Sequence, residues 1–324
     1  MSTTVSIILP AKDSGSYLDR CIESVLSQSY TDWELLIIND SSSDNTAEIA
    51  MYYTEKDTRI SIHDSSARGV SAARNHGLEL SVGDYLCFLD SDDILDPEFL
   101  SELTDLIGKE NADIAQCSFI YLYDDGTKTG NKEAVSAVYK GQTEISNAYF
   151  SGMIGQINLA SWGKIYRKEL IKDIRFDETL TVQEDAFFTF QCCMRASKVV
   201  CISAPRYYYY QNPGSTMNRP FDGSKMQYFI VLDRELDLCS KNSEVTGMIM
   251  LRKLITALDL TAQVIRDDSG REYLGELRDI ALSTSDIIDK NIRLESRVKI
   301  KLFLLRHFPK IYYSLLDSRR PKRV

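Results

Sequence analysis

Features that identify several common classes of protein are missing from this chain of 324 residues. No run of residues is long and apolar enough to span a bilayer. The N-terminal apolar run ends at Pro10 and has neither a basic leader nor a small-residue cleavage site. We therefore expect neither a membrane-spanning helix nor a signal peptide.

Cysteine usage makes two further kinds of structure unexpected. The seven cysteines form no C-x-x-C pair, which argues against a structural zinc site. Their odd number and mostly apolar surroundings indicate buried, reduced thiols rather than a disulfide framework. The sequence thus predicts a protein of the reducing cytoplasm.

Acidic residues outnumber basic residues in the chain as a whole, but not near its C-terminus. The formal net charge is -9, which disfavours nucleic acid as a partner. From Arg297 onward, however, nine basic residues accompany one acid and are mixed with Leu, Phe and Tyr. This segment predicts an interfacial helix on an anionic membrane, at the inner face of the cell membrane. The alternative is a helix packed on its own domain with a solvated basic tail.

Apolar runs and helix-like stretches alternate in the first third of the chain. The predicted strands are residues 5–9, 35–38, 60–62 and 85–89, and the helices between them are 17–27, 46–53 and 70–80. Such an order predicts an α/β protein with a mostly parallel sheet covered by helices on both faces. Beyond residue 221 the pattern is helical, so we predict two domains, 1–220 and 221–324.

Three carboxylates crowd the end of the fourth predicted strand, where Asp90, Asp92 and Asp93 lie within four residues. Like charges this close repel unless a cation or strong donors neutralise them. Because the ligands are all oxygen and no histidine is near, Mg²⁺ or Mn²⁺ is favoured over Zn²⁺. Since Mg²⁺ completes its shell with water and substrate phosphates, the pattern indicates a metal held for a diphosphate, with a solvated loop as the alternative.

Three stretches, in this order and spacing, resemble glycosyltransferase family 2. They read VSIILPAKDSGSYLDRCIESVLSQSYTDWELLIINDSSSDNT, GVSAARNHGL and GDYLCFLDSDD. A weaker resemblance continues through SWGKIYRKEL and VQEDAFF, and no motif is recognised after about Met217. The resemblance implies a GT-A fold, a Rossmann-like, mostly parallel sheet with helices on both faces, followed here by a C-terminal helical appendage.

The resemblance also implies roles for individual acids. Asp40 matches the acid that contacts the base or ribose of the donor nucleotide. Asp90 and Asp92 match the D-x-D motif, the first near the ribose and the metal, the second on the metal that bridges the diphosphate. Asp185 matches the catalytic base, whose pKa must rise toward neutrality through burial or a like charge such as Glu184. The alternative for these last two residues is an ordinary acidic first turn of a helix.

Five further residues complete the donor site that the resemblance implies. Pro10 and Asp13 flank the nucleotide pocket, and Arg68 lies where a basic residue can approach the nucleotide. Arg74 either does the same or braces the acidic loop. Lys12 stands where the family usually has an aromatic residue that stacks on the base, so its ammonium lies over the base or reaches the phosphates.

The function that the resemblance implies is an inverting, metal-dependent glycosyltransferase. It would move a sugar from a nucleoside-diphosphate sugar, with UDP expected, to a glycan or lipid-linked acceptor in surface-polysaccharide synthesis. Two other classes stay open: a non-catalytic, nucleotide-sugar-binding assembly subunit, and a nucleotidyltransferase, which would release pyrophosphate. Trp162 is open between sugar stacking and the core, and residues 211–216 have the turn chemistry of a loop over the diphosphate.

Overall fold

The computed structural model describes residues 3–130, 136–150, 157–211, 220–239, 242–288 and 294–318. The chain divides into two compact units, Met1–Gly214 and Ser215–Val324. The domain boundary predicted from the sequence, after residue 220, lies a few residues beyond this division. All of the predicted loop 211–216 except Gln211, and the end of the basic tail after residue 318, lie outside the described residues.

The first unit is an α/β structure built on one sheet, which has ten strands in the described residues. The strands are β1 (Val5–Ala11), β2 (Trp33–Asn39), β3 (Ile60–Asp64), β4 (Tyr85–Phe88), β5 (Ile94–Leu95), β6 (Ile114–Leu122), β7 (Lys128–Gly130), β8 (Ala137–Lys140), β9 (Lys164–Arg167) and β10 (Lys198–Tyr210). The helices are α1 (Leu18–Leu26), α2 (Thr46–Lys56), α3 (Val70–Leu80), α4 (Phe99–Glu110), α5 (Gly141–Phe150), α6 (Lys168–Ile171) and α7 (Glu184–Arg195). The predicted α/β class is confirmed.

Strand order places a crevice beside β1. The order is β3-β2-β1-β4-β9-β6-β10-β5, and β1 pairs in parallel with both β2 and β4. The chain therefore leaves β1 on one side for β2 and β3, then returns to its other side for β4. In open α/β sheets ligands bind beyond the carboxyl ends of the strands at such a reversal point. The loops after β1, β2 and β4 all meet at this edge.

Alternate residues of β1 bury against helices on opposite faces of the sheet. Ile7 and Leu9 belong to the core cluster that includes apolar residues of α1, α2 and α4. Ile8 points the other way, toward Gly77 of α3, where a Cβ would lie 2.4 Å from the Ile8 Cγ2 atom. Glycine at this position lets α3 approach the sheet closely, and the helix carries Arg74 with it.

The second unit is helical in its described part, as predicted. Its helices are α8 (Gln227–Cys239), α9 (Ser243–Asp267), α10 (Leu274–Ile287), α11 (Ser296–His307) and α12 (Pro309–Asp317). Among the residues described, we find no helix with the length and apolarity needed to cross a membrane. All seven cysteines of the chain are buried and free, which confirms the predicted buried thiols.

One buried carboxyl of the second unit opposes its stability. Glu235 on α8 has no exposed surface, and neither carboxylate oxygen has a hydrogen-bond partner among the described residues. Burial raises the pKa of Glu235 to about 7, although Arg252 opposes the shift. Because the folded chain holds this proton more tightly than the unfolded chain does, the free energy of unfolding falls as the pH rises from the ordinary pKa toward 7.

We expect Glu235→Gln to increase the free energy of unfolding at pH 8, because the uncharged amide removes the cost of a buried carboxylate. The gain at pH 8 should exceed that at pH 5 by about 2 kcal/mol. Denaturant unfolding at both pH values measures this difference. Glu276→Gln, at an exposed position on α10, is the matched control and should have little effect. An equal gain at both pH values would contradict the buried-charge interpretation.

Candidate active site

The loops that follow β1 and β4 touch at the predicted crevice. The hydroxyl oxygens of Ser14 and Ser91 lie 2.7 Å apart and are hydrogen-bonded. The backbone N–H of Ser14 also donates a hydrogen bond to the Thr46 hydroxyl at 2.7 Å. These bonds fix the loop after β1 between the acidic loop of β4 and the start of α2.

The three acids after β4 occupy different environments. Asp93 is fully buried and accepts hydrogen bonds from the Tyr207 hydroxyl at 2.6 Å and from the Tyr210 backbone N–H at 2.7 Å. Burial, reinforced by the charges of Asp90 and Asp92, raises the pKa of Asp93 well above its ordinary value. Asp93 thus fastens the loop to β10, and only Asp90 and Asp92 are partly exposed at the crevice.

Arg74 lies in the middle of a cluster of carboxylates. Its side chain is 3% exposed; Nη2 donates to Asp90 Oδ1 at 2.9 Å, and Nη1 donates to Asp185 Oδ1 at 2.7 Å and to Glu184 Oε1 at 3.3 Å. Burial alone would lower the pKa of Arg74, but the three carboxylates outweigh it and raise the pKa above its ordinary value. Arg74 therefore contacts the acidic loop through Asp90, as one of the two roles left open by the sequence requires, and its approach to the nucleotide stays a prediction.

Asp185 is a carboxyl with a raised pKa in the first turn of α7. Its Oδ1 accepts hydrogen bonds from Arg74 and, at 2.9 Å, from the Ser161 hydroxyl. Burial raises the pKa of Asp185 to about 6, since neighbouring carboxylates add to the effect and Arg74 only partly offsets it. The side chain is 23% exposed, and in the described part of the chain both hydrogen bonds go to Oδ1. Oδ2 therefore has no hydrogen bond among the described residues.

Asp40 lies at the carboxyl end of β2 and is 3% exposed. Its Oδ2 accepts a hydrogen bond from the Gly69 backbone N–H at 3.0 Å and pairs with Lys12 Nζ at 3.4 Å. Its Oδ1 is buried and has no hydrogen-bond partner among the described residues. A buried carboxylate oxygen without a donor is costly, so this atom is suited to accept a bond from a ligand.

The remaining predicted donor-site residues differ in how closely they approach this pocket. Pro10 is buried within β1 and pairs with Ile38 in the sheet. Asp13 is exposed, and its Oδ1 accepts hydrogen bonds from the Ser43 backbone N–H and hydroxyl, which lower the pKa of Asp13. Arg68 is exposed in the loop after β3. Their contacts with a donor stay predictions.

Trp162 and the nearby Lys164 belong to the interior. The Trp162 indole is 8% exposed and stacks in parallel with the rings of Tyr207, at 4.6 Å, and Tyr209, at 5.1 Å. Lys164 is fully buried, donates to the Ala160 carbonyl at 2.6 Å, and has its pKa lowered to about 8 by burial. Of the two alternatives for Trp162, the core interpretation is the one that the structure supports.

Ser161 is the residue at this site whose role the sequence did not indicate. It is fully buried, and its carbonyl accepts a hydrogen bond from the Tyr166 hydroxyl at 3.0 Å. It stands at the start of the SWGKIYRKEL stretch, 24 residues before Asp185. No local pattern connects two positions so far apart, because their contact depends on how β9 and α7 pack.

Two acids at the crevice are suited to a divalent cation. In the described ranges, no group of three or more His, Cys, Asp or Glu side chains is arranged to hold a metal ion. Two carboxylates nevertheless suffice for a Mg²⁺ or Mn²⁺ that takes its other ligands from water and phosphates. Asp92 and Asp90 are the residues that would hold it, and Arg20 steadies their loop by donating to the Asp92 carbonyl at 3.0 Å.

Comparison with known proteins gives a family match for the first unit. The model of glycosyl transferase family 2 matches residues 6–175. The putative glycosyltransferase EpsH of Bacillus subtilis (strain 168) is 28% identical over 220 residues, which cover 66% of this chain and 63% of that protein. The chain thus matches less than two thirds of the length of this relative.

Two solved structures have similar folds. Staphylococcus aureus TarS 1–349, in complex with UDP-GlcNAc, has a TM-score of 0.75 and 18% identity, covering 99% of this chain and 93% of that one. The mannosyltransferase PcManGT from Pyrobaculum calidifontis, in complex with GDP-Man and Mn²⁺, has a TM-score of 0.53 and 12% identity, covering 98% and 88%. At these identities the likeness concerns the fold, and it confirms the predicted GT-A architecture.

We expect Arg74→Met to lower the free energy of unfolding by roughly 3–5 kcal/mol at pH 8, because three carboxylates lose their shared cation. At pH 5 the loss should be smaller, since the crowded acids can take up protons. Denaturant unfolding at the two pH values measures both effects. Arg195→Met is the control, because Arg195 pairs with an exposed acid. Its substitution should lower the free energy of unfolding by about 1 kcal/mol or less. A loss for Arg74→Met as small as the control would contradict the proposed cluster.

Proposed function

The chain belongs to glycosyltransferase family 2, and on that premise we propose that it is an inverting glycosyltransferase with a nucleoside-diphosphate sugar as its donor. The observation that carries the proposal is the placement of Asp90 and Asp185 on one buried guanidinium, that of Arg74. Asp90 follows the central strand β4, where the donor would bind, and Asp185 lies in the first turn of α7. The acid proposed to lie near the donor and the acid proposed as the base therefore bind the same cation.

Asp185 is the proposed general base. The acceptor hydroxyl would approach Oδ2, and its oxygen would bond to the anomeric carbon as the bond from that carbon to the diphosphate breaks. The hydroxyl proton passes to Oδ2, and the nucleoside diphosphate leaves with the bonding electrons. A single displacement of this kind inverts the anomeric centre. A pKa of about 6 leaves the carboxyl mostly deprotonated at neutral pH yet able to take a proton.

The donor nucleoside is proposed to lie at the end of β2, over Asp40. The buried, unpaired Oδ1 of Asp40 supports this position, because a ribose hydroxyl or a base N–H would supply the missing donor. We propose a UDP-sugar as the donor. The complex of TarS with UDP-GlcNAc supports this choice by likeness of fold.

A divalent cation, Mg²⁺ or Mn²⁺, is proposed to be held by Asp92 and Asp90, where it would supply positive charge to the departing diphosphate. Arg74 orients Asp90 through Oδ1, and Arg20 holds the backbone at Asp92. The complex of PcManGT with GDP-Man and Mn²⁺ supports a metal in this fold.

The acceptor is proposed to be a glycan or a lipid-linked oligosaccharide of surface-polysaccharide synthesis. The full-length TarS relative is a poly(ribitol-phosphate) β-N-acetylglucosaminyltransferase, and it is 28% identical to this chain over 209 residues. Partly exposed Asp185 sits beside the crevice, as a large acceptor entering from outside requires.

We expect Asp92→Ala to remove Mn²⁺-dependent binding of the nucleoside diphosphate, and Asp185→Asn to keep binding while turnover falls at least about 100-fold. The reason is the separation between the acid that would hold the metal and the acid that would take the proton. Calorimetry with UDP and Mn²⁺ measures binding. Release of nucleoside diphosphate from a panel of UDP- and GDP-sugars measures turnover.

Asp105→Asn is the matched control for both measurements, since Asp105 is 75% exposed on α4 and pairs only with Lys109 in the described ion pairs. Equal loss of binding in the two site variants would contradict the assigned roles. Release of pyrophosphate would identify a nucleotidyltransferase, and binding without any turnover would identify an assembly subunit.

The second unit is proposed to dock on an anionic membrane at the inner face of the cell membrane. Val298, Leu305 and Tyr312 of α11 and α12 are buried. The same segment has five exposed apolar side chains: Ile300, Phe303, Phe308, Ile311 and Leu315. The same segment is rich in basic residues, each of which contributes about 1 kcal/mol near an anionic surface. An exposed apolar face flanked by positive charge suits the headgroup region of a bilayer.

We expect the double variant Phe303→Ser/Ile311→Ser to lose most binding to vesicles that contain anionic lipid, because both side chains lie on the exposed face. Flotation with anionic and with neutral vesicles measures this. The matched control is Ile230→Ser/Leu238→Ser, which removes two exposed apolar side chains from α8. If the native chain has no preference for anionic vesicles, or if both variants bind alike, the membrane proposal is wrong.

A further inference from the structure

The pocket at the end of β2 presents a hydrogen-bond donor directly beside a free acceptor. Lys12 Nζ lies 3.4 Å from Asp40 Oδ2, and the Lys12 side chain is 54% exposed. Its ammonium therefore has further N–H groups to offer to a ligand. Asp40 Oδ1, on the same carboxylate, is buried and unpaired among the described residues. A ligand group that reached this carboxylate would find the Lys12 ammonium as a donor and, in Oδ1, an acceptor that still lacks a donor.

The backbone of Gly69 lies next to this pair. Gly69 donates its backbone N–H to Asp40 Oδ2 and has a φ of 106°, a conformation that side chains disfavour. A Cβ built on Gly69 would meet no atom within 4 Å. The backbone at this position is thus open to a planar group that approaches the carboxylate.

We propose that Lys12 and Asp40 together recognise the lactam edge of a nucleobase, in which a carbonyl oxygen adjoins a ring N–H. The inference rests on the proposed function, which places the donor nucleoside at this pocket. Uracil, thymine and guanine have such an edge: the carbonyl accepts from the ammonium and the N–H donates to Asp40 Oδ1. Lys12 is then a specificity-determining residue for the base.

Cytosine and adenine present the opposite pattern on the corresponding edge, an amino group beside a ring nitrogen with a lone pair. The amino group would face the ammonium of Lys12, and the lone pair would face the carboxylate of Asp40. The first contact sets a donor against a donor and the second an acceptor against an acceptor, so the buried oxygen stays without a donor. Sites built to hydrogen-bond one pattern reject an analogue that cannot complete it.

The position of the ammonium argues against the phosphates as its target. Lys12 follows β1 but its Nζ is held at the end of β2, whereas the acids that would hold the diphosphate metal follow β4. Since β2 and β4 flank β1 on opposite sides, their axes are about 10 Å apart. The ion pair with Asp40 thus draws the ammonium away from the acidic loop.

UDP and CDP are the matched pair of ligands for the test, because they share ribose, diphosphate and ring size. We expect the native chain, assayed by calorimetry with Mn²⁺, to bind UDP about tenfold or more tightly than CDP. Lys12→Met should reduce this preference to less than about threefold, chiefly by weakening the binding of UDP. Asp40→Asn should narrow it as well, since the amide can donate to the cytosine ring nitrogen. Lys109→Met, at a position 76% exposed on α4, is the control and should leave the preference unchanged.

Three outcomes would overturn the inference, and they are distinguishable from one another. Equal affinity of the native chain for UDP and CDP would mean that the pocket does not read this edge. If Lys12→Met weakens the binding of both nucleotides by the same factor, the ammonium contacts the phosphates. If the affinity for neither nucleotide changes, Lys12 lies outside the site. If the native chain binds neither nucleotide, the proposed function fails together with the inference.

Discussion

The buried guanidinium of Arg74 is the interaction on which the arrangement of the candidate site depends. Burying a cation is unfavourable unless charges and hydrogen bonds compensate for lost solvation, and here Asp90, Glu184 and Asp185 do so. The acids in turn tolerate their proximity because they share this cation. Removing Arg74 would leave three neighbouring carboxylates without the cation that offsets their mutual repulsion. Since Arg74 is carried by α3 while its partners lie on the β4 loop and α7, three elements are held in register by electrostatics at the mouth of an otherwise apolar sheet.

The acids around the crevice look equivalent in sequence but differ in their surroundings. Asp93 is withdrawn into the core, where the Tyr207 hydroxyl and a backbone N–H occupy its oxygens. Asp92, next to it, is partly exposed. Asp185 loses solvation, and its pKa rises to about 6 even though Arg74 lies 2.7 Å away. Environment therefore gives these acids different properties: Asp93 holds the loop, and Asp185 is able to exchange a proton near neutrality. Asp92 is the acid proposed to hold a cation.

Local patterns in the sequence were sufficient for the parallel core and its crevice, because β1 to β4 are short apolar runs separated by helices. They were insufficient for what depends on distant contacts. The antiparallel insertion of β9 between β4 and β6 has no local signature. The burial of Asp93 is decided by tyrosines more than a hundred residues away, and Ser161 meets Asp185 only through packing. For Arg74 the sequence left two roles open, and its contacts with acids from two other elements could not be predicted from the sequence around it.

We infer that burial among charged neighbours tunes Asp185 for proton transfer. The most direct measurement is the titration of its carboxyl carbon by NMR, with ¹³C-labelled aspartate assigned by the loss of one signal in Asp185→Asn. The account predicts a pKa of about 6 in the native chain. It also predicts a higher pKa in Arg74→Met, because the cation that favours the charged form is gone. A carboxyl that titrates near its ordinary value of 3.8, or that does not respond to the loss of Arg74, would contradict it.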